Sequence, residues 1–138
     1  MRKNKSYKEL IQLETLEERF DYLSIGGIVG EETFGDSRWV NQQLYTSSFW
    51  RSIRQNVIVR DNGCELGIQE FEIPGLIIVH HINTITEDDI LERRKCVFDM
   101  NNLICASFYV HEAIHYGDRK LLPSYILIER KPGDTTLW

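Results

Sequence analysis

Residues 80–118 read HHINTITEDDILERRKCVFDMNNLICASFYVHEAIHYGD and hold all four histidines of the chain, His80, His81, His111 and His115. They fall as an adjacent pair and as a pair four apart. On a helix, positions four apart are offset by about 40° and stand one above the other, so His111 and His115 can grip one ion. On a strand, neighbouring side chains point to opposite faces, so His80 and His81 cannot easily do the same job. The apolar, β-branched run at 76–82 predicts a strand, and 110–115 predicts a helix ended by Gly117. Packed against the helix, the strand pair would supply one further ligand and one base.

The same helix contains HEAIH, a literal match to the H-E-x-x-H of zinc peptidases. Such an enzyme needs the motif well inside a long helix and a third ligand downstream. Here Gly117 follows His115 closely, no later histidine exists, and the one downstream glutamate, Glu129, lies in a predicted strand. A peptidase also leaves His80 and His81 unexplained, so a zinc metallopeptidase is the weakest candidate.

The bulk numbers bound the rest. A chain of 138 residues with 42% apolar and 27% charged residues fits one globular domain. The first residues, MRKNKSYKELIQL, lack an apolar core and a small-residue cleavage site, so no secretory signal is expected. The longest apolar runs are far too short to span a membrane. Three cysteines without a C-x-x-C pair support neither a disulfide framework nor a cysteine zinc knuckle, and they suit a reducing, cytoplasmic setting. The net charge of −5 argues against general polyanion binding, so nucleic-acid contact must come from a local basic patch.

The N-terminal part, about 1–60, reads as helical. Thr15 and Glu18 form a capping-box pattern ahead of a face carrying Leu16, Phe20 and Leu23, with Gly26 and Gly27 as the stop. A loop is expected over 26–35. A second helix capped at Asp36 or Ser37 would carry Trp39, Val40 and Leu44. A third, about 48–59, would turn Phe49, Trp50, Ile53 and Val57 inward. Asn62-Gly63 marks a tight turn. Residues 64–73 read as extended, Pro74-Gly75 as a type II turn, and 86–89 as the cap of a short helix. A strand is expected at 103–107, then a tail (119–138) with a strand at 125–128 and a turn at 131–134.

The quoted stretch resembles the HNH motif of ββα-metal (His-Me finger) nucleases: a His-His pair, an Asn about twenty residues on, then His-x-x-x-His opening a helix. It is similar to the nuclease domains of DNase colicins, with Asp99-Met100-Asn101-Asn102-Leu103 in the middle position. The chain as a whole looks more like the small HNH endonucleases encoded by bacteriophages, since FWRSIRQNVIVRDNGCELG (49–67) resembles the lead-in common before such motifs. The likeness spans about residues 49–118. It implies an α+β fold with a ββα-metal core at about 64–118, and one divalent ion (Mg²⁺, Mn²⁺, Ni²⁺ or Zn²⁺) on His80, His111 and His115. His81 would be the general base, and Asn102 would hold the base-bearing segment in register. The implied partner is DNA, with phage or host proteins as further partners, no membrane, and the host cytoplasm as location. Many relatives carry two C-x-x-C pairs around a structural zinc; Cys64 and Cys105 lack partners at those positions, so no structural zinc is expected.

Phosphate contact would fall to Arg51, Arg54 and Arg60, a stretch without acids, and to Arg93, Arg94 and Lys95. The main rival class is a catalytically inactive protein of the same fold that grips DNA or another protein.

Overall fold

The computed structural model describes residues 5–24 and 38–123, with the side chains of 38–41 excepted. The first helices are fixed by their own caps. In α1 (Tyr7–Leu10) the Ser6 hydroxyl accepts from the Glu9 amide. In α2 (Leu16–Leu23) the Thr15 hydroxyl accepts from the Glu18 amide while the Glu18 carboxylate accepts from the Thr15 amide, the reciprocal box the sequence predicts. Leu16, Phe20 and Leu23 lie buried on one face. After α3 (Arg38–Tyr45), α4 (Ser48–Asp61) starts on the Ser47 hydroxyl and stops where Asn62 and Gly63 both adopt left-handed backbone. Trp50 and Val57, two turns apart, carry its buried face. Phe49, expected inside, is 52% exposed and forms a T-shaped pair with Phe98.

The chain then runs through β1 (Ile78–His81), α5 (Glu87–Leu91), α6 (Lys95–Phe98), β2 (Leu103–Ala106) and α7 (Phe108–Tyr116). β1 and β2 pair antiparallel, with His80 opposite Ile104 and His81 opposite Leu103. A lone strand pair is marginal in water. This one is stable because both faces are covered. Ile104 and Ala106 join Leu10, Phe20, Val110 and Ile114 in one core, while Leu103, Cys105 and Val79 join Trp50, Val57 and Val97 in the other. Helices around a small antiparallel sheet make the fold α+β.

Side chains from the α4 region close the outer edge of β2 and touch that of β1 at one point. Alternation in an antiparallel pair turns the backbone groups of Leu103 and Cys105 away from β1. Arg60 donates to the carbonyls of Leu103 and Met100 (both 2.6 Å), and the Asp61 carboxylate, ion-paired to Arg60, accepts from the Cys105 amide. Glu65 accepts from the Ser107 amide at 2.7 Å. This buried ion pair and carboxylate stand where a third strand would. At the other edge, Arg54 donates to the Ile77 carbonyl at 2.6 Å.

Several expected elements take another form. Residues 64–73 are not an extended strand: a 3₁₀ turn (Glu65–Gly67) sits inside a single Cys64–Glu72 bridge, with Leu66 and Gly67 both at positive φ. Long-range bonds impose this, since Arg19 donates to the Leu66 carbonyl at 2.7 Å and Glu65 holds Ser107. Pro74-Gly75 is a bend without the positive φ a type II turn requires. Ser107, expected in the strand, caps α7. The loop at 26–35, its flanking stop and cap residues, and the tail strand and turn lie outside the described residues. Among the described residues, no helix is long and apolar enough to cross a membrane.

Candidate metal centre

β1 turns the His80 side chain toward the face on which α7 packs, because His80 lies opposite the core residue Ile104. α7 begins on the Ser107 hydroxyl and ends at Gly117, whose φ of 66° suits the left-handed cap. His111 and His115 stand one turn apart between those limits. The three rings converge in T-shaped pairs: centroids lie 5.0 Å (His80–His111), 5.3 Å (His80–His115) and 4.4 Å (His111–His115) apart, all steeply inclined. One ring nitrogen from each lies within 4.8 Å of the others. The two helix Nε2 atoms are 3.1 Å apart.

His80 decides what this cluster is for. It is 2% exposed, and neither of its ring nitrogens has a hydrogen-bond partner among the described residues. Burying an imidazole with both nitrogens unmet costs free energy, and such groups normally find a partner. A cation held jointly with His111 and His115 would supply one. The donor set of three neutral imidazoles suits Zn²⁺ or Ni²⁺ better than Mg²⁺ by affinity.

Burial keeps all four imidazoles in the neutral form that ligands and bases need. Desolvation pushes His81 and His111 down to about 4, and it also lowers His80 and His115, with neighbouring imidazoles adding to the effect on His80 and His111. The consequence for stability has a definite sign. Between pH ~6.5 and ~4 the unfolded chain takes up protons that the folded site refuses, so stability falls as pH drops through that window and is flat above it. For His81 alone the full loss is on the order of 3 kcal/mol. Thermal melts of metal-free protein from pH 7.5 to 4.5 should show this decline, with a shallower slope in His81→Phe. An identical slope in that variant would contradict the assignment.

His81 points to the other side of β1, where its ring stacks on Trp50 with centroids 5.4 Å apart. Its Nε2 lies 2.9 Å from the Val97 carbonyl oxygen. A carbonyl only accepts, so Nε2 carries the proton and Nδ1 keeps a bare lone pair. A cleft of about 520 Å³ borders His80, His81 and His111 together. Residues 76–81 line it in unbroken succession, which means it follows the open edge of β1 and so reaches side chains from both faces.

Asn102 ties the segment after His81. Its side-chain oxygen accepts from both the backbone and side-chain amides of Asn83 (2.8 Å each), and its Nδ2 donates to the Cys96 carbonyl. Sequence reasoning missed Asn83, whose side chain also exchanges two hydrogen bonds with the Lys5 backbone. The only signal would have been its position two residues past the histidine pair.

The six basic residues proposed for phosphate contact separate. Arg60 is engaged inside the fold: its guanidinium pairs with Asp61, donates to two carbonyls and lies over the Tyr7 ring at 3.6 Å. Arg94 is exposed but paired with Asp89 and Glu92. Arg93 and Lys95 are exposed and are not among the residues lining the histidine cleft. Arg54 lines that cleft, and Arg51 is exposed one turn earlier on α4.

Comparison of the chain with protein-family models, curated proteins and solved structures gave no significant match.

Proposed function

We propose that this chain is a metal-dependent endonuclease hydrolysing DNA phosphodiester bonds, with β1, β2 and α7 forming a ββα-metal core of the HNH type. The observation that carries the proposal is the pairing of roles on one strand. Buried His80, with no hydrogen-bond partner among the described residues, faces two helix imidazoles, and the next residue, whose Nδ1 keeps a lone pair, lines the same cleft. His80, His111 and His115 would hold the ion. Once bound, the ion supplies Lewis-acid stabilisation of charge on the phosphoryl and leaving oxygens.

The chain's own groups do the rest. His81 Nδ1 takes a proton from the attacking water as its oxygen bonds to phosphorus and the bond to the 3′-oxygen breaks. The Val97 carbonyl keeps the base in the right tautomer and steadies the imidazolium that forms. Asn102, through Asn83, fixes the backbone just beyond the base. Arg54 is placed to meet a non-bridging phosphate oxygen at the cleft. No observation favours a peptidase: the third imidazole comes from an upstream strand, and Glu112 is a partly exposed residue of a helix that ends one residue after His115.

Incubating the protein with supercoiled plasmid in Mg²⁺, Mn²⁺, Ni²⁺, Zn²⁺ or EDTA tests the proposal. Nicking with at least one ion and none in EDTA is expected. Inertness under every ion would favour the rival, a binding protein of the same fold.

A further inference from the structure

We infer that the cleft beside the histidines takes an unpaired nucleotide, so that the substrate is single-stranded or locally unpaired nucleic acid rather than intact duplex. This rests on the phosphodiesterase proposal for the chemistry, and on the walls of the cleft for the specificity. Apart from its histidines the cleft is lined by Tyr45, Trp50 and the aliphatic run starting at Leu76, with Arg54 as its one cation. Leu76 is 71% exposed at the rim. A volume of about 520 Å³ is enough for one nucleotide.

Charge points the same way. Holding a duplex draws on many cationic contacts along two phosphate rails. Among the described residues Arg60 is engaged inside the fold, Arg94 is paired with Asp89 and Glu92, Arg119 is paired with Asp21, Arg51, Arg93 and Lys95 are exposed but do not line the cleft, and the chain carries a net −5. Since Trp50 is buried and already stacked on His81, the apolar surface open to a base is the rim at Leu76, and one arginine beside that rim matches one phosphate and one base, as in single-strand binders. An added peptide strand fits less well, because Arg54 already occupies the Ile77 carbonyl on the open edge.

The test is fluorescence anisotropy in EDTA, with a labelled ten-nucleotide single strand and the same sequence as duplex. We expect the single strand to bind about tenfold tighter or more, with a salt slope equivalent to only one or two phosphates (about −0.7 each). Leu76→Asp, at an exposed position, should remove that preference, and Arg54→Gln should flatten the salt slope. Equal or tighter duplex binding, or an unchanged preference in Leu76→Asp, would overturn the inference. Because these measurements need no metal, they fail independently of the nuclease proposal. Single-strand preference without nicking under any ion sinks only the chemistry; nicking without single-strand preference sinks only the specificity.

Discussion

His81→Ala is expected to lower metal-dependent nicking by about 10²- to 10⁴-fold while the protein still binds its ion, and His111→Ala should abolish both. The split follows from where the side chains stand. His111 shares the ring cluster with His80 and His115, whereas His81 lies across the strand against Trp50 and Val97. Since His81 is buried, its loss could also disturb packing, so His81→Gln provides a second variant of similar bulk. Calorimetric titration with Zn²⁺ beside a plasmid assay reads the two effects separately. Nicking at wild-type rate in both His81 variants would remove that residue from the mechanism.

The largest expected effect on stability belongs to Asp61. Asp61→Ala should destabilise the fold by about 3–5 kcal/mol, because it strands a part-buried guanidinium and leaves the buried Cys105 amide without its acceptor. Asp61→Asn retains an oxygen for that amide and should cost less. Arg94→Ala, at an exposed, solvent-screened pair, should change stability far less than either. Urea denaturation of the three variants gives the ranking. If Asp61→Ala and Arg94→Ala proved equal, the ion pair would not be standing in for a strand at the edge of β2.

How far the sequence could be read depended on where each element's partners lie. Helices with local caps, at Thr15 and Thr86, were legible because the bonds that define them span three residues. So were the two strands, since apolar runs at 76–82 and 103–107 flank a polar connection. The histidine spacing pointed to a cluster that the fold does bring together at 80, 111 and 115. The turn at Glu65–Gly67 was not legible, because Arg19 and Ser107, which bind it, are remote in the chain. The bonds of Arg60 were hidden for the same reason: an arginine on a helix looks solvated until carbonyls forty residues away claim it. Phe49 failed differently, since helical period alone cannot say which edge of an apolar stripe meets the sheet.

X-ray absorption on Zn²⁺-loaded protein is the most direct check on the site. One ion per chain, with three imidazole nitrogens and no sulfur in its shell, is the expected result, together with loss of binding in His80→Ala. A sulfur-containing shell, or full-strength binding in that variant, would mean that the strand and helix histidines do not share a cation.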